Sequence, residues 1–107
     1  MQTRLFRLLL IVAAFLATGS ARAQDIAAGN RIAQASCSGC HLVNPQKQTK
    51  GSDAAPTFVS IARMPSTTAM SLAAFLTTPH ANMPNLILNR KEIRDVSAYI
   101  LNLRNSL

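Results

Sequence analysis

The sequence predicts a small all-α domain, and three observations carry that reading. Apolar residues recur at helical spacing in separate segments, most regularly at Ile93, Val96, Tyr99, Ile100 and Leu103. Asp, Ser, Thr or Asn stands ahead of these segments, where a helix needs acceptors for its first free N–H groups. Nothing along the chain reads as a pair of alternating apolar strands.

Residues 1–23 are expected to be a cleaved signal peptide rather than part of the fold. Arg4 and Arg7 come first, residues 8–17 form an unbroken apolar run of 10, and Ala21-Arg22-Ala23 supplies the small outer residues of a cleavage site. That run is about half of the roughly 20 residues a membrane span requires. Cleavage leaves residues 24–107 as one domain of 84 residues. No other apolar segment there is long enough to cross a membrane. A domain of this size has a marginal core and gains from a covalent staple or a large bound group.

The first helix is predicted over residues 25–36, with Asp25 as its N-cap and Ile26, Gly29, Ile32 and Ala33 along one face. Residues 42–56 hold Asn, Pro, Gly, Ser and Asp without periodicity and read as loop. Residues 58–62 make a short apolar turn, stopped near Met64-Pro65 because proline disfavours helix at the residue before it. Ser66, Thr67 and Thr68 are cap candidates for the next helix, whose apolar content is Met70, Leu72, Ala73, Phe75 and Leu76 and which Pro79 ends. A polar stretch, residues 80–85, follows and contains Met83-Pro84. Asn89 with Glu92 three positions on has the form of a capping box for the last helix.

The chemistry is concentrated in Cys37-Ser38-Gly39-Cys40-His41, which holds both cysteines of the chain. A spacing of two residues lets both thiols reach the two vinyl groups of one haem, and the adjacent histidine can bind the iron. C-x-x-C-H is read as c-type haem attachment. A thioredoxin-like thiol pair belongs beside a βαβ pattern, which the sequence lacks. Zinc would require four ligands, and His80 stands at no familiar spacing to complete them. A structural disulfide suits an exported chain, but closing so short a loop stabilises little. Haem is the preferred reading.

The sixth position on the iron separates electron transfer from chemistry. A bound methionine closes the site and raises the potential, whereas an open site admits gases or peroxide. Met64, Met70, Met83 and His80 are the candidates. Met70 lies in helical apolar content, where methionine usually fills gaps. Met64 follows His41 by 23 residues and Met83 by 42, so only Met83 has chain enough to pass around a porphyrin. Met83 is therefore the expected iron ligand beside His41, and His80 is expected to be a solvated loop histidine.

Removing Arg4, Arg7 and Arg22 leaves eight basic residues against four acidic, a net charge of +4. The basic residues are scattered and no aromatic interleaves with them, which argues against nucleic acid as a partner. A mildly basic surface suits encounter with acidic proteins.

With these motifs in place, the sequence resembles the small class I c-type cytochromes of bacteria over nearly all of residues 24–107. The resemblance implies helices wrapped around one covalently attached haem. It implies a periplasmic one-electron carrier rather than an enzyme, meeting a dehydrogenase, oxidase or reductase as a monomer in weak, transient complexes. A dedicated electron-accepting subunit of a periplasmic dehydrogenase is the nearest alternative, and a gas-binding or peroxidase protein with an open sixth site is a more distant one. By the same resemblance, Gly29 lets the N- and C-terminal helices cross closely, with Tyr99 and Ile100 on the other side. Ala33 stands where many members have an aromatic residue. Pro56 corresponds to the proline whose carbonyl accepts a hydrogen bond from the axial histidine, and Phe58 would pack on the haem.

Overall fold

The computed structural model describes residues 1–2, 24–46 and 55–106. Nearly all of the expected signal peptide and the middle of the 42–56 loop lie outside the described residues. The elements are α1 (Ile26–Ser36), α2 (Phe58–Arg63), α3 (Ala69–Thr77) and α4 (Arg90–Asn102), closed by a 3-10 turn at Leu103–Asn105. Among the described residues there is no strand, only an isolated antiparallel bridge between His80 and Met83.

Each helix begins at a side chain that accepts an otherwise unpaired N–H. Asp25 accepts from Ala28 at 2.9 Å and Thr57 from Ser60 at 3.1 Å. Thr68 and Ser71 form a reciprocal capping box, so of the three candidates before α3 the third is the cap. Asn89 and Glu92 form the other box, with bonds of 3.0 and 2.8 Å. Helix α3 ends at Thr77, two residues before Pro79. Helix α2 stops at Arg63, where Met64 takes extended backbone ahead of Pro65.

Helix α4 is the centre of the fold and packs against α1, α2 and α3. The core joins Ala33, Val43, Phe58, Ala62, Leu72, Val96, Tyr99, Ile100 and Leu103. The closest approach is at Gly29. A Cβ there would stand 2.0 Å from the Asp95 carbonyl oxygen and 2.8 Å from the Tyr99 Cβ. No side chain fits, so glycine is what allows α1 and α4 to touch backbone to backbone. The contact is tied by polar groups as well. The Asp25 N–H donates to Asp95 Oδ1 at 3.1 Å, and Lys91 Nζ reaches Asp95 Oδ2 at 2.6 Å.

Two further ties hold the irregular chain. The buried Tyr99 hydroxyl donates to the Val43 carbonyl at 2.7 Å, and the Phe58 N–H donates to the Leu42 carbonyl at 3.0 Å. Arg104 clamps the far end, donating to the carbonyls of Ala62 at 2.8 Å and Thr67 at 2.7 Å. Arg63 answers from α2 with a hydrogen bond to the Ser106 carbonyl.

Helix α3 departs from the expected pattern. Leu72 is its one buried residue, while Met70 is 82% exposed and Phe75 is 46% exposed. Leu72 and Leu76 are four residues apart and share the face turned to the core. Met70, two positions from Leu72, falls on the opposite side of so short a helix. It is therefore not the core gap-filler expected from its apolar neighbours.

Candidate haem site

The Cys37–His41 motif begins where α1 ends. The Cys37 N–H closes the last turn onto the Ala33 carbonyl at 2.9 Å. The Cys37 carbonyl then accepts from the N–H groups of both Cys40, at 3.2 Å, and His41, at 2.9 Å. The motif is thus coiled into one more tight turn, braced by Ser38 Oγ donating to the Gln34 carbonyl at 2.6 Å. Cys37 is buried and Cys40 exposed, and the two thiols are unbonded to each other. Burial pushes the Cys37 thiol above its ordinary pKa. A thiol–disulfide enzyme needs the opposite, an accessible thiol of lowered pKa.

His41 is oriented from behind. Its Nδ1 lies 2.7 Å from the Pro56 carbonyl oxygen. A carbonyl can only accept, so Nδ1 carries the proton, and a neutral imidazole then keeps the lone pair on Nε2. That is the tautomer a metal-binding histidine needs, with its second nitrogen held by an acceptor. The ring also meets Phe58, with centroids 5.4 Å apart and planes tilted by 53°. Phe58 in turn packs on Tyr99, at 6.4 Å and 56°. A run of three rings therefore links His41 to the α1–α4 crossing.

Cys37, His41, Pro56 and Phe58 are brought together, the first two by the motif turn and the others across the loop. Met83 lies apart from them in the chain, between α3 and α4. It is half-buried and lines a hollow of about 230 Å³ with Phe75, Leu76, His80 and Leu86. Met64 is 46% exposed at the end of α2. His80 differs from the solvated loop histidine expected of it. Its ring is stacked on Phe75, with centroids 3.7 Å apart and planes within 28°. The hydroxyl of Tyr99 has a role the sequence does not mark, the hydrogen bond to the Val43 carbonyl. Burial raises its pKa, which keeps the phenol a neutral donor to Val43. The place of Tyr99 on the apolar face of α4 and the family resemblance both point to it as a packing residue, and neither points to its hydroxyl.

The residues present suit haem by their donor set: two thiols two residues apart, an imidazole with Nε2 free, and a thioether available on another segment. Among the described residues no group of three or more His, Cys, Asp or Glu is gathered for another kind of metal centre. No helix of the described residues is long and apolar enough to cross a membrane.

The Cytochrome c family model matches residues 26–104, most of the chain. The chain belongs to the cytochrome c family. It is also 38% identical over 95 residues to cytochrome c-552 of Bradyrhizobium diazoefficiens, covering 89% of this chain and 90% of that one. No solved structure matches. As a small class I c-type cytochrome it carries covalent haem c and works as an electron carrier among redox partners. The bound haem supplies an iron that gains and loses one electron. What this cytochrome's own residues supply is an oriented histidine and two cysteines at the spacing a haem tether needs.

Proposed function

We propose that this cytochrome is a mono-haem, one-electron carrier of the periplasm, not an enzyme. In this reading residues 1–23 direct export and are removed, and residues 24–107 form the working domain. Cys37 and Cys40 would form the thioethers, His41 and Met83 would bind the iron, Pro56 holds the His41 ring, and Phe58, packed on that ring, would lie beside the haem. Redox partners such as a dehydrogenase, oxidase or reductase meet the monomer through small, weak contacts, as electron-transfer encounters do.

The observation that carries this reading is the 2.7 Å hydrogen bond from His41 Nδ1 to the Pro56 carbonyl. It fixes the imidazole plane and leaves Nε2 as its only ligand atom. A fixed ring suits a carrier, because geometry that does not change with oxidation state keeps the reorganisation on electron transfer small. Met83 as a second iron ligand would also raise the potential and would make exogenous ligands compete with its sulfur.

The test is an absorption spectrum of the holo-protein, oxidised and reduced, against Met83→Ala. The weak long-wavelength sulfur-to-iron charge-transfer band is expected in the wild type and absent from the variant. A high-spin wild type without that band, binding carbon monoxide readily when reduced, would replace this reading with a gas-binding or peroxidase one.

A further inference from the structure

Leu86 and Leu88 pack against the core and hold the far end of the segment that carries Met83, which leaves the near end, residues 80–85, to other contacts. Among the described residues, no hydrogen bond ties residues 80–88 to any helix. A side chain that must reach an iron needs an anchor near its own backbone, and two observations identify one. His80 and Met83 pair as an antiparallel bridge across the two-residue turn Ala81-Asn82. Residues paired in this way project to the same side, and both line the same hollow. The His80 ring is then stacked on Phe75, in the last turns of α3. Phe75 is nearly half exposed, an unusual place for a large ring unless another ring lies on it.

We propose that His80 is a positioning residue for the Met83 sulfur: its ring, stacked on Phe75, fastens the Met83 turn to α3. The anchor runs from α3 through Phe75 to His80, across the bridge to Met83. It requires a flat ring at position 80 and no particular ring nitrogen. The inference rests on Met83 as iron ligand. Releasing the clasp raises the fraction of molecules in which the sulfur is off the iron, and an added ligand competes in proportion to that fraction. An aromatic pair of ordinary strength corresponds to a change of about three- to tenfold.

The oxidised holo-protein is titrated with imidazole, following loss of the sulfur-to-iron band in wild type, His80→Ala, His80→Phe and Phe75→Leu. Both sites are partly exposed, and Phe75→Leu keeps apolar bulk while removing the ring, so folding is preserved in at least one disrupting variant. His80→Ala and Phe75→Leu are expected to bind imidazole about three- to tenfold more tightly than wild type, with His80→Phe returned to the wild-type value. Equal affinity in all four overturns the clasp. So does His80→Phe binding as tightly as His80→Ala, since the ring would then not be what matters. A wild type with no band at all removes the Met83 ligand itself, a separate failure recognised before any variant is compared.

Discussion

The crossing of α1 and α4 and the stretch that carries Met83 are fastened in opposite ways. At the crossing, backbone meets backbone through Gly29 and buried Asp95 accepts from the Asp25 N–H, while next to it Tyr99 ties the loop through Val43. Between α3 and α4 the chain has no regular structure beyond one bridge, and Ile87 there is fully exposed. The His41 side of the site is therefore continuous with the core through Phe58 and Tyr99, whereas the Met83 side is attached at a few points. The difference separates two quantities that a single melting curve would merge: how stable the fold is, and how firmly the sixth ligand is held.

Gly29→Ala breaks the comparison most severely. The new methyl meets main-chain atoms, which cannot swing aside as a side chain can, so the helices must part. A loss of about 3 kcal/mol, the upper end of over-packing costs, is expected because the clash is with main chain, read as a lowered midpoint in guanidinium denaturation of the holo-protein. Tyr99→Phe is smaller and more informative. It leaves the Val43 carbonyl buried without its donor, at a cost of about 1–3 kcal/mol. Its imidazole affinity should stay at the wild-type value, because the hydrogen bond lies on the fixed side of the molecule. Together these variants lower stability and leave the hold on sulfur alone, the reverse of His80→Ala.

The smallest effect is a pH dependence at Asp95. Its carboxyl is held below its ordinary value of 3.8, first by the hydrogen bond from Lys91, then by the Asp25 N–H and the nearby positive charges. A lowered folded-state pKa means the unfolded chain takes up the proton first as pH falls. The contribution is complete above 3.8 and is lost as pH falls below it through the lower folded value. Denaturation midpoints measured down that acid limb should fall less steeply for Asp95→Asn than for wild type. Lys91 is 67% exposed, so added salt should shrink the difference.

The helices were legible because their signals are local. Asp25, Asn89 with Glu92, and the apolar face of α4 each act within a few residues of the feature they predict. Helix α3 is legible as an element but not in its burial, because a nine-residue helix shows too few turns to tell its core face from composition. The cysteine–histidine motif is likewise local. What sequence could not give was contact at a distance: Tyr99 reaching Val43, Arg104 reaching Ala62 and Thr67, and a buried acid at Asp95 chosen by the Asp25 N–H. The stacking of His80 is hidden for the same reason. Its partner Phe75 is five residues away across a proline and a helix end, and no periodicity links them.

The crossing also governs timing. The Asp25 N–H and the Asp95 carboxylate it donates to are separated by 70 positions in the chain, and the Gly29 contact spans nearly as many. A ribosome delivers the N-terminus first, so α1 emerges long before the surface it packs on exists. Contacts of such separation also carry the largest loop-closure cost and form slowly. Among the described residues every packed pair of helical elements includes α4 or the closing turn, so helix-on-helix packing waits for the last quarter of the chain.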